Sequence, residues 1–387
     1  MASISKRTWT NKSGVHEAWT LAFTDAAGKR HKEQFARKRD AEARRTEVDG
    51  QVRGGTYRHQ AKDKTVSDAC KGYLASLEGR RDRGEHVTEH YLRTTRAQLL
   101  NYVDPQPDRD VKFEHGIGSI KLAQLTGRTV GDFRDNLRRS GVGVVTTRQI
   151  LGSLSRALGH AVSEDWTAVN PAVGVRVIGR RDEGSQKVLP PSKAALAALI
   201  ASADSEFAIV IRFAAATGLR ASELHALPWQ NVDLKAGQVV VDRRLDAYGN
   251  LDVTKSKAGM RTVPLGAGIV ARLEAWKAAT KFARPTDFVF PGARGAHVDH
   301  RNLMARKFRP LLAAIGEEDK SFEPFGWHAL RHFAISTWIE AGLTPKTVQT
   351  FAGHSTLGVT MDRYGHMFPK ADHREAMDRI ADENFTD

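Results

Sequence analysis

The segment HALRHFAIS, residues 328–336, places two basic side chains where they could bind one anion. His328 and Arg331 are three residues apart, which brings them to one side of a helix. His332 could share that side or turn toward the next face, and we expect it to face elsewhere. An imidazole and a guanidinium that converge on one point can hold a phosphate group. The alternative is a half-buried helix whose polar residues only hydrogen-bond to nearby loops, and the spacing alone does not distinguish the two.

Further polar residues in the second half of the chain lie in contexts that would hold them in place. Arg220 lies in ATGLRASEL, where one helix is expected to end and the next to begin. Lys255 and Lys257 lie in TKSKAG, a turn between two expected strands. His354 follows an expected helix end in FAGHS, and Tyr364 lies in MDRYGHM. Each of these residues, taken alone, is more often a surface or packing residue than a catalytic one.

Taken in order, these residues resemble the motif Arg, Lys, His-x-x-Arg, His, Tyr of the tyrosine recombinase family, the phage-type integrases. The resemblance covers about residues 192–370, with every part of the motif in order. It implies a site-specific DNA recombinase, an integrase that cleaves and rejoins DNA through a 3′-phosphotyrosine intermediate and needs no cofactor and no metal ion. The catalytic residues that it implies are Arg220, Lys255, His328, Arg331, His354 and Tyr364.

The turn TKSKAG offers two lysines where the family has one. We assign the catalytic role to Lys255, because it lies on the strand side of the turn and is better held there. Lys257 remains the alternative, since the length of the turn lets either lysine align with the motif.

These residue types suit phosphoryl transfer without a metal ion. Arg220 and Arg331 would neutralise the non-bridging oxygens of one phosphate, because each guanidinium can donate two hydrogen bonds and stays charged. Tyr364 would lose its phenolic proton as it attacks. Lys255 would protonate the 5′ oxygen that leaves, while the two histidines of the motif donate hydrogen bonds or shuttle protons. Carboxylate pairs that could hold two Mg²⁺ ions are not conspicuous near the motif, and no GxxxxGK[ST] loop occurs.

The charge of the chain favours a polyanionic partner. Its 387 residues include 59 Lys and Arg against 45 Asp and Glu, a formal net charge of +14. Double-stranded DNA is the leading candidate. A membrane is not expected as a partner, because no apolar run approaches the ~20 residues of a spanning helix. We expect a cytoplasmic bacterial protein that works at the nucleoid, with its single cysteine, Cys70, as a small core residue.

The first 60 residues predict a small basic domain. Tryptophan, leucine and phenylalanine alternate with polar residues between turns at NKSG and DAAGK, which predicts three strands. A helix that ends at Gly54 and Gly55 should follow. Residues 1–60 hold 13 Lys or Arg and 7 Asp or Glu, an excess of six positive charges. A sheet of this size can lie in a DNA groove, although it could also be a generic solubilising module.

The chain as a whole is expected to be a multidomain α+β protein. The small three-stranded sheet with its helix, residues 1–60, would bind arm-type DNA sites. Helical periodicity predicts a core DNA-binding domain over residues 64–178, and Gly, Pro and charged residues predict a linker over 179–191. Residues 192–387 would form the catalytic domain, which is mainly helical with a small antiparallel sheet.

The C-terminal tail predicts an amphipathic helix after Pro369, with apolar residues that include Met377 and Ile380. It could pack on its own catalytic domain, or, as the resemblance suggests, on a neighbouring protomer of a homotetramer on DNA. The resemblance also implies a DNA-bending accessory protein or an excision factor as further partners.

The alternatives to an integrase are a type IB topoisomerase-like enzyme, which relaxes DNA by the same chemistry, and a non-catalytic DNA-binding regulator. The separate arm-like domain favours recombination.

Overall fold

A computed structural model describes residues 2–11, 14–25, 28–108, 113–179, 183, 190–253, 259–368 and 374–385. The chain divides into two compact units, residues 1–186 and 187–387. In the described part of the chain, no helix is both long enough and apolar enough to span a bilayer.

The first unit opens with a three-stranded antiparallel sheet in the order β1-β2-β3. Its strands are β1 (Ser3–Asn11), β2 (Gly14–Thr24) and β3 (Arg30–Phe35). Helix α1 (Lys38–Arg53) packs on one face of this sheet, because Val48 reaches Leu21 and Phe23 in a small core that Tyr57 closes. The prediction of three strands and a helix that ends at the Gly54–Gly55 pair is confirmed.

The rest of the first unit is helical. Its helices are α2 (Val66–Asp82), α3 (Glu89–Gln98), α4 (Gly127–Arg139) and α5 (Val144–Ser163), with a π-helical turn over Leu99–Val103 and 3-10 turns over His59–Lys62 and Leu122–Gln124. Thr65 begins α2 with a capping box, in which its hydroxyl accepts from the Asp68 N–H and the Asp68 carboxylate accepts from the Thr65 N–H. The apolar faces of the helices meet around Leu77, Phe133 and Leu154. Cys70 lies in this core, as expected, and burial raises the pKa of its thiol.

The second unit begins with helices and continues into two small sheets. The helices are α6 (Lys193–Ser202), α7 (Ser205–Thr217) and α8 (Ala221–Leu224), followed by a 3-10 turn over Trp229–Asn231. The strands are β4 (Val232–Asp233), β5 (Gln238–Val241), β6 (Arg243–Leu245), β7 (Leu251–Val253) and β8 (Arg261–Pro264). Strands β4, β5 and β8 form one antiparallel sheet, and β6 pairs with β7 in a second, two-stranded antiparallel sheet.

The remainder of the second unit is helical, with one large apolar core and a smaller apolar cluster that includes Tyr364. Its helices are α9 (Ala267–Ala279), α10 (His300–Leu303), α11 (Arg309–Glu318), α12 (His328–Glu340), α13 (Pro345–Ala352), α14 (Leu357–Tyr364) and α15 (Arg374–Phe385), with a π-helical turn over Met304–Phe308 and a 3-10 turn over Gly365–Met367. Phe213, Trp229 and Phe308 are fully or almost fully buried in the core. Helix α12 packs against α7 through this core, so its N-terminal turns are fixed beside the end of α7.

Candidate active site

Arg220 lies at the junction of two helices, as its sequence context predicts. Helix α7 ends at Gly218, whose φ of 60° is left-handed, and α8 begins directly after Arg220. A Cβ at Gly218 would come within 3.0 Å of Trp338 on α12, so the absence of a side chain permits both the turn and the close approach of the two helices. The junction therefore fixes the backbone of Arg220, while its side chain stays partly exposed.

Glu223 holds two arginines at once. It accepts from the Arg220 backbone N–H at 2.9 Å and from Arg220 Nη1 at 2.8 Å. Arg261, the first residue of β8, donates to the same carboxylate from Nη1 at 3.1 Å and from Nη2 at 2.8 Å. Burial alone would raise the pKa of Glu223, but the hydrogen bonds and charges of Arg261 and Arg220 lower it to about 2. The carboxylate is therefore ionised and neutralises part of the positive charge around it.

Three guanidinium groups donate hydrogen bonds to three successive backbone carbonyls at the C-terminal end of α13. Arg261 Nε donates to the Phe351 carbonyl at 2.7 Å, Arg331 Nη2 donates to the Ala352 carbonyl, and Arg220 Nη2 donates to the Gly353 carbonyl at 3.0 Å. These carbonyls have no partner within the helix, and the negative end of the helix dipole lies here. One helix end thus brings together side chains that are far apart in the sequence.

Arg331 is the most deeply buried of the predicted site residues on α12. Besides the Ala352 carbonyl, it binds the Gly218 carbonyl through Nη1 at 2.7 Å. Burial, together with the charge of Arg220, lowers the pKa of Arg331 to about 9, which leaves the guanidinium charged at neutral pH. Among the described residues, two hydrogen bonds use two of its five N–H donors, which leaves three that can donate to a substrate anion.

The two histidines of the motif are held differently. His354 is buried just after α13, and its Nδ1 shares a hydrogen bond of 2.9 Å with the hydroxyl of Thr360 on α14. Its backbone carbonyl accepts from the Gln349 side chain at 3.2 Å. His328 is exposed at the start of α12. Desolvation and the charge of Arg331 lower the pKa of His354 to about 3 and that of His328 to about 4, so both rings are neutral at pH 7.

Tyr364 is fully buried at the end of α14. Its ring stacks on His354, with 6.3 Å between ring centroids and 15° between planes. Burial raises its pKa to about 12, although the charges of Arg331 and Arg363 act in the opposite direction. Its hydroxyl forms a short hydrogen bond with Nδ1 of His332. The expectation that His332 faces elsewhere is therefore wrong.

Five of the six predicted site residues thus lie in one neighbourhood of the second unit. The sixth, Lys255, and its alternative Lys257 lie outside the described residues. The described chain resumes at Gly259, whose carbonyl accepts from Arg261 Nη1 at 3.1 Å.

Residues 192–370 match the model of the phage integrase family. This match, together with similarity to a tyrosine recombinase XerC-like protein, supports the tyrosine recombinase family. Members of this family cleave and rejoin DNA, and this recombinase is an enzyme of that kind, acting at specific DNA sites. The topoisomerase-like and non-catalytic alternatives are not favoured.

Curated relatives of the recombinase are themselves integrases and recombinases. The ICEBs1 integrase of Bacillus subtilis (strain 168) is 25% identical over 274 residues, which cover 67% of this chain and 72% of the relative. Tyrosine recombinase XerC of Mycobacterium sp. (strain JLS) is 28% identical over 309 residues, which cover 76% of this chain and 92% of the relative.

Solved structures show the same fold at low identity. The Tn1549 transposon integrase, in complex with a circular intermediate DNA, matches with a TM-score of 0.64 and 20% identity over 82% of this recombinase and 99% of that chain. A lambda integrase dimer bound to a core site matches with a TM-score of 0.57 and 14% identity over 94% of this chain and 97% of that chain. Both confirm the mixed architecture of a small sheet followed by a mainly helical remainder.

Sequence reasoning did not single out Glu223, Arg261 and Thr360, whose side chains contact the predicted site of the recombinase, and it expected His332 to face elsewhere. A local signal existed for Glu223, because a glutamate three residues after a helix start is typical of a capping box. Arg261 gave no such signal, since its partner carbonyl at Phe351 is distant in the sequence. Contacts of this kind follow from the tertiary fold alone.

Proposed function

We propose that this recombinase is the integrase of a mobile genetic element, a phage or an integrative element, which it inserts and excises through a 3′-phosphotyrosine formed by Tyr364. One observation carries the proposal: the Tyr364 hydroxyl shares a buried site with Arg331, whose charge acts on its pKa, and Arg331 shares a helix end with Arg220. A nucleophile beside two fixed guanidiniums suits attack on a phosphodiester. The similarity to an ICEBs1 integrase and a Tn1549 integrase supports a role in moving an element.

Arg220 and Arg331 would bind the non-bridging oxygens of the scissile phosphate. The Arg220 guanidinium is already fixed by Glu223 and the Gly353 carbonyl, and that of Arg331 by the Gly218 and Ala352 carbonyls. Little reorganisation is therefore needed when DNA enters. Their unused N–H groups would donate to the phosphate, and charge would be neutralised as the pentavalent transition state forms. Binding by prepared donors is what makes a metal-free site effective.

The two neutral histidines of the motif would donate hydrogen bonds to the same phosphate. For His354, the bond between Nδ1 and Thr360 fixes the ring, which leaves Nε2 to reach the substrate. His328 lies on the same helix as Arg331, one turn earlier, and its exposure suits contact with DNA. Lys255 would protonate the 5′ oxygen as it leaves, with Lys257 as the alternative.

We propose the following domain roles. Residues 1–60 bind arm-type DNA sites and residues 64–178 bind core DNA sites. Residues 179–191 form the linker to the catalytic domain, residues 192–387, which cleaves and rejoins the DNA. The first role is supported by Lys6, Arg7 and the partly exposed Trp9 on β1, because cations and an aromatic ring suit a DNA surface.

Deletion of residues 1–60 should preserve cleavage of a core site but impair integration. An unchanged integration yield would contradict the arm-binding role.

The active assembly would be a homotetramer on two core sites, helped by a DNA-bending protein or an excision factor, in the bacterial cytoplasm at the nucleoid. The lambda integrase, whose fold is similar, has been solved as a tetramer bound to a Holliday junction. The net charge of +14 supports close association with DNA.

The test is a covalent adduct between protein and DNA. Tyr364→Phe removes only the attacking oxygen, so it should abolish adduct formation on a nicked suicide substrate while DNA affinity stays nearly unchanged. Tyr102→Phe, which removes a phenol oxygen from the helical part of the first unit, serves as the matched control and should form the adduct normally. A Tyr364→Phe protein that still forms the adduct would refute the assignment of the nucleophile.

A further inference from the structure

His332 occupies a position that the motif of the family does not include, yet it makes a direct contact with the proposed nucleophile. It follows Arg331 on α12 and is buried, and its Nδ1 is hydrogen-bonded to the Tyr364 hydroxyl. The two ring centroids are 5.8 Å apart. On its other side, the ring of His328 meets it edge to face at 4.7 Å. His332 thus lies between a motif histidine and the tyrosine.

We propose that His332 is a further catalytic residue, the base that removes the proton of Tyr364 as its oxygen attacks the phosphate. This inference rests on the proposed function, since it needs Tyr364 as the nucleophile. Its geometry requires no movement before the proton transfer, because the acceptor nitrogen already touches the reacting oxygen.

The direction of the hydrogen bond follows from the neighbours of Tyr364. The charged groups that act on it most strongly are Arg331 and Arg363, and a guanidinium can only donate. The hydroxyl hydrogen therefore needs an acceptor, and the neutral imidazole of His332 supplies one at Nδ1. The ring hydrogen then resides on Nε2, which defines the tautomer that is ready to accept a proton.

The step balances as follows. The O–H bond of Tyr364 breaks and its proton passes to Nδ1 of His332, while the tyrosine oxygen forms a bond to phosphorus. The bond from phosphorus to the 5′ oxygen breaks, and that oxygen takes a proton from the lysine of the TKSKAG turn. On rejoining, the 5′ hydroxyl returns its proton to the neutral lysine as its oxygen attacks phosphorus. The bond from phosphorus to the tyrosine oxygen breaks, and the imidazolium of His332 returns its proton to that oxygen.

The charges of the resting site keep this proton on the tyrosine until DNA is present. Desolvation and the neighbouring His328 and Arg331 lower the pKa of His332 to about 4, while burial raises that of Tyr364 to about 12. A bound phosphate would offset the positive charge of Arg331 and so favour the imidazolium form. The base would therefore become effective only when the scissile phosphate is in place.

Two substitutions separate a base from a residue that only positions the tyrosine. In His332→Asn the amide oxygen can occupy the place of Nδ1 and accept the hydrogen bond, but it does not take a proton. His332→Ala removes both abilities. We expect adduct formation on a suicide substrate, measured in a single turnover, to slow by about 100-fold or more in both variants. A wild-type rate in His332→Asn would overturn the proposal. His300→Asn, which alters a half-buried histidine without contact to Tyr364, is the control and should retain the normal rate.

A more acidic nucleophile provides the second readout. Replacing Tyr364 by 3,5-difluorotyrosine lowers the pKa of the phenol, so the attack should depend less on a base. The defect of His332→Asn should then shrink at least tenfold, whereas an unchanged defect would overturn the proposal. Because His332→Asn is present in both comparisons, its effect on stability is the same in each and cannot imitate this result. A Tyr364→Phe protein that forms adducts would instead refute the proposed function, and an inactive Tyr364→Phe beside a fully active His332→Asn would refute only the role of His332.

Discussion

At the scale of single residues, one carboxylate and three peptide carbonyls allow three guanidiniums to lie side by side. Glu223 offsets part of the charge of Arg220 and Arg261, and the carbonyls at the end of α13 accept from both of these and from Arg331. Without these acceptors, arginines this close together would repel one another. The site is thus positively charged and ordered before DNA arrives.

Glu223→Gln should destabilise the second unit by about 3 kcal/mol or more, because it leaves Arg261 buried without a counter-charge. The shape of the side chain is retained, so the loss reports charge rather than packing. The measurement is the free energy of unfolding from urea denaturation. Glu274→Gln on the exposed side of α9 is the control and should change it by less than about 0.5 kcal/mol. Equal stability of the two variants would contradict this account of Glu223.

The buried histidines should make the protein sensitive to acid. The pKa of His225 is about 3, that of His332 about 4 and that of His354 about 3, against about 6.5 in an unfolded chain. Between pH ~6.5 and pH ~4 the unfolded state therefore binds more protons, so the free energy of unfolding falls as the pH falls, by up to about 1.4 kcal/mol per pH unit for each histidine. Above pH ~6.5 this contribution is fully present.

His225 allows the effect to be isolated. Neither of its ring nitrogens has a hydrogen-bond partner among the described residues, and its ring packs near His300 and Trp327. His225→Phe should therefore lose less stability than the wild type between pH 7.5 and pH 5, as measured by denaturant titration at each pH. Parallel losses in the two proteins would show that His225 does not contribute.

At the scale of elements, the sequence predicts where helices end better than it predicts which way their residues face. Gly218 and Gly353 both end helices in the left-handed conformation that glycine favours, so Arg220 and His354 could be placed at helix ends from local pattern alone. His332 could not be oriented this way. Helix α12 buries residues on several sides, so no polar face marks the direction of solvent.

Gly353 should be more sensitive to substitution than its backbone conformation alone requires. Its φ is 65°, and a Cβ there would lie 2.9 Å from Nη1 of Arg261. Gly353→Ala should therefore lower stability by more than the roughly 1 kcal/mol of a left-handed alanine and should also slow adduct formation, because the arginine must move. Gly342→Ala, at a φ of 82° with no atom within 4 Å of the added Cβ, is the matched control. It should lose stability alone. Equal effects on cleavage would contradict the role of the contact.

At the scale of the whole molecule, the prediction of a C-terminal helix is confirmed, but its packing partner stays a prediction. Helix α15 exposes Met377 and Ile380. A single helix of 12 residues is marginal in water, so it needs a surface to pack on. If α15 packs on a neighbouring protomer, the position of Tyr364 depends on assembly of the tetramer. If α15 packs on the catalytic domain of its own chain, the two are independent.

Met377→Asp should test this link, because a charge on the apolar face opposes burial. If α15 packs on a neighbour, the variant should bind a single DNA site normally but fail to form tetramers on DNA with two sites, as judged by native gel and light scattering. Asn384→Asp adds the same charge at a polar position and is the control. Normal tetramers with Met377→Asp would exclude packing between protomers.

The hydrogen bonds from three arginines to the end of α13 also divide the chain around the site into two parts. Up to Gly353, the chain is tied to the α7–α8 junction, to β8 and to α12, because Arg220, Arg261 and Arg331 donate to its carbonyls. Beyond Gly353, the segment 354–368 carries Tyr364 and leads to the tail. A displacement of this segment would have to break the hydrogen bond between Tyr364 and His332, but it would leave the hydrogen bonds to the carbonyls of residues 351–353 in place. The guanidiniums that would hold the phosphate therefore keep their positions independently of the nucleophile.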